Sequence, residues 1–252
     1  MTRRTYLRRP HAVLDLPFRR LKAVKIDHLL NLTSRPQALN LPEIRTGSGG
    51  VAHYFANHES LHCEVVVVDA VDQRLLTDGY TFKQVSDTSL PFPDGYFDVV
   101  ITNHVIEHVG DQLAQRHHLH EVRRVLNDEG VGYLAVPNRW MLVEPHYRLA
   151  FLSWLPRPLR TPYLRLMRRG TQYDCEPLPL GRLERLLDDT GFRYQNMCTQ
   201  ALRETLALEG GKGVPVSVIA RLPNHVLDRL ACAIPTLIYR LERQAAAVTN
   251  MQ

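Results

Sequence analysis

Several features that would classify this chain at once are missing from its sequence. Its four cysteines, Cys63, Cys175, Cys198 and Cys232, form no C-x-x-C pair and follow no regular spacing, which argues against a disulfide framework and against a zinc site. No apolar run approaches the length of a membrane-spanning helix, and no apolar segment follows the basic start as it would in a secretory leader. The sequence therefore predicts a globular, cytoplasmic protein with free thiols and no metal.

Acidic residues are scarce around two groups of arginines. The formal net charge is +5, and arginines gather among residues 3–9 and again between Arg148 and Arg169. Such groups attract phosphates, nucleic acid or an anionic membrane surface, although a solvated face is the simpler interpretation. Because no RNA-binding motif accompanies them, we expect no nucleic-acid partner.

The most informative stretch runs from Leu39 to Asp69. It predicts a strand, a glycine-rich turn from Thr46 to Gly50, a helix, and a second strand that ends on Asp69. Doubly wound folds place a ligand over such a turn and hold a ribose diol with an acid about twenty residues further on. The stretch therefore predicts a nucleoside-containing cofactor. A nicotinamide dinucleotide stays open, because Gly47 to Ala52 also matches G-x-G-x-x-A.

Strands and helices alternate along most of the chain. An amphipathic helix is predicted near 18–31, strands at 38–44, 65–69, 81–85, 97–101 and 131–136, and helices at 51–57 and 112–126. This order predicts an α/β fold, a doubly wound Rossmann-like and mostly parallel sheet with helices on both faces. Residues 137–179 are rich in proline, arginine and aromatics without a persistent period, which predicts an inserted cap after the fifth strand. Helices at 179–190 and 225–233 and strands at 192–198 and 235–241 complete the prediction.

Four segments together resemble the class I S-adenosylmethionine-dependent methyltransferases of the type 11 kind, a group that includes the quinone-biosynthesis methyltransferases. They are EIRTGSGG at 43–50, the acid Asp69, SDTSLPFPDGYFDVVITNHVIEHV at 86–109, and HEVRRVLNDEGVGYLAVPN at 120–138. The third segment is the most specific, and the resemblance covers roughly residues 38–200. It favours S-adenosylmethionine as the cofactor and leaves a nicotinamide-dependent oxidoreductase as the least favoured alternative.

Composition, the order of elements and the resemblance together divide the chain into four segments. Residues 1–37 hold the basic start and the amphipathic helix, and residues 38–137 form the cofactor-binding, Rossmann-like core. Residues 138–179 form the cap, and residues 180–252 complete the core sheet.

The resemblance implies a role for each residue that matches its motifs. Glu43 would contact the methionine end of the cofactor, Gly47 and Gly49 would let the backbone lie against it, and Asp69 would bind the ribose diol. The remaining positions would bind the adenine or lie beneath the sulfonium methyl: Asp87 and Thr88 at the adenine, Asn103 and His104 beneath the methyl.

One position departs from the family pattern. The family has glycine where this chain has Arg45, either because the backbone needs a positive φ or because a Cβ would collide with the ligand. Arginine there would add bulk and a charge close to the cofactor's own positive sulfonium. Either Arg45 points outward and the enzyme is active, or the chain is a catalytically degenerate relative of the family.

The acceptor site is less defined by the sequence. A methyl acceptor that must lose a proton needs a base, and the candidates are His146 in the cap and His104 or His108 after the fourth strand. Packing against Trp140 or Tyr147 is the simpler interpretation of His146. Adjacent histidines in the helix at 112–126 face different directions, so we expect them to be exposed and to bind no metal. The aromatic, basic cap predicts a small acceptor, lipid-linked, quinone-like or sugar-derived, and allows a peripheral membrane contact.

Overall fold

The computed structural model describes residues 15–35, 37–144, 146–210, 221–229 and 234–244. Most of the predicted basic start, part of the glycine-rich break and the end of the predicted helix at 225–233 lie outside these residues.

A seven-stranded sheet organises the core. Its strands are β1 Leu39–Ile44, β2 Cys63–Asp69, β3 Thr81–Gln84, β4 Phe97–Asn103, β5 Leu126–Pro137, β8 Phe192–Asn196 and β9 Thr236–Arg243; β6 Val143–Glu144 and β7 Leu149–Ala150 form a separate hairpin. The order in the sheet is β3-β2-β1-β4-β5-β9-β8. Strands β1 to β5 run parallel, and β9 is antiparallel to both of its neighbours.

Helices cover both faces of the sheet, as the sequence predicted. The described helices are α1 Leu16–Leu30, α2 Gly50–Ala56, α3 Gln112–Val125, α4 Arg157–Leu166, α5 Leu180–Asp189, α6 Cys198–Glu209 and α7 Asn224–Arg229. Helices α1, α2 and α6 pack on one face, and α3 and α5 pack on the other. Side chains alternate along each strand. Val99 and Ile101 of β4 therefore pack on the face covered by α1, α2 and α6, while Val100 packs on the face covered by α3 and α5. The α/β, mostly parallel fold is confirmed.

Two parts of the fold, the cap and the segment after β8, differ from the sequence prediction. The cap, expected to lack regular structure, contains the β6–β7 hairpin and the ten-residue helix α4. Helix α6 follows β8 where no helix was predicted. The connection between β2 and β3, all of whose residues are described, contains no helix. This connection lies over the glycine turn, because the backbone N–H groups of Leu75 and Leu76 donate to the Ser48 carbonyl.

The chain order reverses between β1 and β4, which are hydrogen-bonded neighbours at the centre of the sheet. Open α/β sheets bind ligands at the carboxyl ends of their strands next to such a switch point. The sheet therefore places the glycine turn after β1, Asp69 at the end of β2 and Asn103 at the end of β4 along one edge. Among the described residues, no helix combines the length and the apolar character that crossing a membrane requires.

Candidate functional site

The glycine turn is built from backbone in the left-handed region. Arg45, Gly47 and Gly49 have φ values of 65°, 61° and 81°. Glycine adopts such angles at no steric cost, whereas arginine does not. The structure thus shows a positive φ at position 45, one of the two reasons given above for the family's glycine, and arginine at this position is strained.

Tyr80 and Leu76 explain why Gly49 is glycine. A Cβ at this position would overlap the Tyr80 hydroxyl and the Leu76 carbonyl, which are themselves joined by a hydrogen bond. The predicted reason was the close approach of a cofactor, but the nearest atoms here belong to the connection between β2 and β3. The contact of Gly47 and Gly49 with the cofactor stays a prediction.

Glu43 holds the turn onto helix α2. Its carboxylate is 1% exposed and accepts hydrogen bonds from Thr46 Oγ1 at 2.6 Å and from the Ala52 N–H at 3.0 Å. Burial raises the pKa of Glu43 to about 7, although both hydrogen bonds and the Arg19 guanidinium oppose the rise. The structure therefore gives Glu43 a role in shaping the turn. Its predicted contact with the methionine end of the cofactor stays untested.

Asp69 lies at the end of β2 with an outer oxygen available for a ligand. Its Oδ1 accepts a hydrogen bond from the Ala70 N–H at 2.7 Å, and the residue is 8% exposed. Within the described part of the chain, Oδ2 accepts no hydrogen bond from a protein group. A carboxylate fixed by backbone on one oxygen can accept a ribose hydroxyl on the other.

Asp87 and Thr88 follow β3 at the surface. The Asp87 carboxylate accepts a hydrogen bond from the Ser89 N–H at 2.7 Å, and this bond lowers its pKa below the ordinary value. The Thr88 hydroxyl lies 2.6 Å from His117 Nδ1. Asp87 is thus ionised at neutral pH and exposed. Its predicted contact with the adenine amino group stays a prediction.

The end of β4 carries Asn103, and a strained turn follows it. Asn103 is buried, and His104 has a φ of 58°, in the left-handed region. His104 Nδ1 lies 3.2 Å from Glu107 Oε1, and burial lowers the pKa of His104 although this contact opposes the shift. The imidazole of His104 is therefore neutral at pH 7 and can accept a proton.

The loop after β4 and the cap meet in a group of ionisable side chains, which we call the edge cluster. Its members are His104, Glu107, His108, Glu144, His146, Asp174 and Cys175. The Glu107 carboxylate is 1% exposed, and its Oε2 has no hydrogen-bond partner among the described residues. Burial lowers the pKa of His108 to about 4 and raises that of the Cys175 thiol, so both are neutral at pH 7.

His146 of the edge cluster pairs with a buried carboxylate through its Nδ1. Its Nδ1 lies 2.7 Å from Glu144 Oε1, and Glu144 is 1% exposed. Burial alone would lower the pKa of His146, but the hydrogen bond and the charge of Glu144 outweigh burial and raise it. The imidazole also meets the His108 ring edge to face at 5.8 Å. His146 thus pairs with a carboxylate, and its packing against Trp140 or Tyr147 stays a prediction.

Two subsets of the edge cluster have spacing suitable for a metal ion. They are His108 with Asp174 and Cys175, and Glu144 with His146 and Cys175; within each, the potential ligand atoms lie within 4.8 Å of one another. Zinc binds such nitrogen, sulfur and carboxylate sets. Sequence spacing gave no sign of either subset, because His108 and Cys175 are 67 positions apart. The predicted absence of a metal stays a prediction.

Helix α1 contributes two cations that sequence reasoning did not assign to the site. A Cβ on Gly50 would lie 2.7 Å from the Arg19 Cβ, so α1 packs directly on the start of α2. Burial lowers the pKa of Lys22 to about 7, and the nearby charges include Arg19, Glu43 and Glu107. The first helix was predicted only to pack on the domain, but it also brings the Arg19 guanidinium close to Glu43, and a partly neutral Lys22 amine close to Glu43 and Glu107.

The histidines of α3 include one that was predicted wrongly. His117 and His120 are exposed as expected, but His118 is 2% exposed and its Nε2 lies 3.0 Å from Thr102 Oγ1. Burial lowers the pKa of His118 to about 4. His118 is therefore a neutral core residue that ties α3 to β4.

Comparison with known proteins is consistent with this geometry. Residues 43–134 match the family model described as a methyltransferase domain. No curated protein sequence matches the chain. The 43–134 match includes the glycine turn, Asp69, Asp87 and the end of β4, and stops before the cap.

Three solved structures illustrate the shared fold. The YcgJ protein of Bacillus subtilis is 15% identical with a TM-score of 0.53, over 88% of this chain and 99% of that one. A Methanococcus maripaludis protein assigned to the S-adenosyl-L-methionine-dependent methyltransferases is 14% identical with a TM-score of 0.54, over 94% and 90%. A Burkholderia thailandensis 1,6-didemethyltoxoflavin-N1-methyltransferase, with 1,6-didemethyltoxoflavin and S-adenosylhomocysteine bound, is 14% identical with a TM-score of 0.50, over 91% and 80%. At these identities the likeness is one of fold.

Proposed function

We propose that the protein is a class I S-adenosylmethionine-dependent methyltransferase, with its methyltransferase domain at residues 43–134, and that it transfers a methyl group to an oxygen, nitrogen or carbon atom of a small acceptor. One observation carries the proposal. The glycine turn, Asp69 and Asp87 follow three adjacent strands, β1, β2 and β3, at the carboxyl edge beside the switch point.

The residues present fit the methyl donor. Ser48 Oγ in the glycine turn is fully buried without a hydrogen-bond partner among the described residues. Buried polar atoms are rarely left unpaired, so Ser48 indicates a polar ligand at the turn. Asp69, at the end of β2, keeps its Oδ2 free of hydrogen bonds from the described protein groups. Asp69 would hold the ribose, Asp87 and Thr88 the adenine, and the turn with Glu43 the methionine end. Asn103 and His104 would lie beneath the sulfonium methyl. The donor supplies an activated methyl group on its sulfonium.

The protein's own part is to orient the acceptor, to exclude water and to remove a proton where the acceptor carries one. Glu144 positions His146 by the 2.7 Å contact and raises its pKa, so His146 can take a proton from the acceptor. His104 is the second candidate, since it follows Asn103 directly and is neutral. Both side chains belong to the edge cluster, next to the end of β4.

A binding experiment tests the proposal through Asp69. We expect Asp69→Asn to weaken S-adenosylmethionine binding about tenfold, because a charged acceptor of ribose hydroxyls becomes a neutral amide. Isothermal titration calorimetry measures the affinity, and the melting temperature shows whether the variant is folded. Asp128→Asn is the matched control, since Asp128 is 87% exposed and pairs with Arg243 away from the turn.

Two outcomes would contradict the proposal. Equal affinity of Asp69→Asn and the natural sequence would remove Asp69 from the site. Binding of a nicotinamide dinucleotide in place of S-adenosylmethionine would favour the oxidoreductase, whose fingerprint Gly47 to Ala52 also satisfies.

A further inference from the structure

The outer surface of the cap exposes large apolar side chains that a small globular domain would normally bury. The group, which we call the cap patch, comprises Trp140, Leu142, Val143, Phe151, Trp154, Leu159, Leu166 and Met167. Each is at least 40% exposed. Single exposed apolar residues need no explanation, but a concentration of them in one short segment marks an interaction surface.

Contacts within the cap hold Trp140, Phe151 and Trp154 together and tie helix α4 to the same hairpin. The Trp154 ring lies 5.7 Å from Trp140 and 5.1 Å from Phe151, measured between ring centroids. The Phe151 N–H donates to the Leu142 carbonyl at 2.8 Å, which brings the two ends of the hairpin segment together. Helix α4 is tied to the same hairpin, because the Tyr163 hydroxyl donates to the Ala150 carbonyl at 3.2 Å.

The charge of the cap is all of one sign around the patch. No Asp or Glu occurs between Glu144 and Asp174, and that interval holds six arginines. Arg160 is buried against the Leu155 carbonyl, and Arg157 pairs with Glu176. The other four are exposed: Arg148, Arg165, Arg168 and Arg169. Apolar side chains flanked by exposed arginines complement an anionic lipid surface, where the rings enter the headgroup region and the guanidinium groups meet phosphates.

The backbone holds one aromatic side chain outward in a strained conformation. Phe151 has a φ of 56°, in the left-handed region, and its side chain is 51% exposed. Burial of the ring in the core does not compensate this strain. Strained residues of this kind concentrate at functional sites.

We propose that the cap patch docks on the surface of an anionic phospholipid bilayer. The exposed leucines, valine and methionine favour lipid over nucleic acid, because nucleic-acid surfaces select arginine and stacking rings rather than aliphatic side chains. The β6–β7 hairpin connects this surface to the site: Val143 faces outward, while the next residue, Glu144, is buried against His146. The docking also identifies the acceptor class as an amphiphile that enters from the membrane, and this step rests on the proposed methyl transfer.

Tryptophan fluorescence tests the docking directly, since the only two tryptophans of the sequence, Trp140 and Trp154, both belong to the patch. The full chain is mixed with phosphatidylcholine vesicles that contain about one-third phosphatidylglycerol and brominated acyl chains. We expect quenching of both tryptophans, and partitioning at least about tenfold stronger than to phosphatidylcholine alone.

Matched variants separate the patch from the rest of the surface. Leu166→Ser should weaken partitioning by about tenfold, whereas Leu113→Ser on α3 should not change it, and the two leucines are 78% and 76% exposed. Replacing Arg168 and Arg169 by glutamine should weaken the preference for anionic vesicles, because only two of the four exposed arginines would remain, and Arg20→Gln should leave the preference unchanged. Circular dichroism confirms that each variant is folded.

Three results would overturn the docking. The first is no partitioning onto the anionic vesicles at low salt. The second is an equal loss of partitioning from Leu113→Ser and Leu166→Ser. The third is salt-sensitive binding of an RNA oligonucleotide without tryptophan quenching by brominated lipid. The last would assign the cap to nucleic acid instead. The vesicle measurement needs no methyl donor, so its failure would leave the Asp69→Asn test of methyl transfer unaffected.

Discussion

His146→Ala should lower the turnover number by about 10²- to 10⁴-fold while the affinity for S-adenosylmethionine stays unchanged. The expectation follows from the pair that His146 forms with the buried Glu144 at 2.7 Å. A base of this kind acts on the acceptor and lies apart from Asp69 and Asp87, which bind the donor in the proposal. Turnover is measured as S-adenosylhomocysteine formed with a lipid extract as the source of acceptors, and affinity by calorimetry.

The pH profile separates a base from a residue that only packs. His146 acts when unprotonated, and its pKa is raised above the ordinary value by Glu144 against the effect of burial. The rate should therefore rise with pH through that raised pKa. Glu144→Gln removes the carboxylate, lowers the pKa of His146, and should shift the rising limb to lower pH while reducing the maximal rate.

His120→Ala is the matched control, because His120 is exposed on α3 outside the edge cluster. It should leave both turnover and affinity unchanged. Turnover by His146→Ala equal to that of the natural sequence would remove His146 from the mechanism and leave His104 as the base to test next.

The order of strands and helices was predictable because its signals are local. The run Val65 to Val68 and the alternation after it follow directly from the sequence, and β2 and its neighbours lie where these patterns predicted. Strand direction is not a local property. A segment such as β9 has the same composition whether it pairs parallel or antiparallel, so its reversal was not foreseen.

The site was predictable where a motif fixes a backbone position and not where side chains converge from distant segments. The apolar run Val65 to Val68 stops at Asp69, so the sequence itself places Asp69 at the end of β2. Whether a carboxylate turns inward depends on packing, so the inward turn of Glu43 toward Thr46 and Ala52 was not predicted. The contact of Cys175 with His108 is likewise set by how the cap folds back on the sheet.

Arg45→Gly should both stabilise the fold and strengthen S-adenosylmethionine binding. Arg45 has a φ of 65°, and a residue with a Cβ is destabilised in that region by about 1–3 kcal/mol. Glycine removes this strain, but its more flexible unfolded state offsets part of the gain in stability. We therefore expect a gain of about 1 kcal/mol in the free energy of unfolding. The half-buried Arg45 charge also lowers the pKa of His108 and opposes the rise in that of Cys175. Arg45 therefore lies close to the edge cluster, and in the proposed site its charge would oppose the positive sulfonium of the donor.

Two variants separate backbone strain from charge. Arg148 has a φ of 52° in the exposed part of the cap, so Arg148→Gly should give a similar gain in stability with no change in donor affinity. Arg45→Gln keeps the strain and removes the charge, so it should strengthen binding without stabilising the fold. Denaturant unfolding and calorimetry measure the two quantities. If the natural sequence binds no S-adenosylmethionine and Arg45→Gly does, the chain is a degenerate relative whose donor site this one substitution closed; measurable binding by both supports an active enzyme that tolerates the strain.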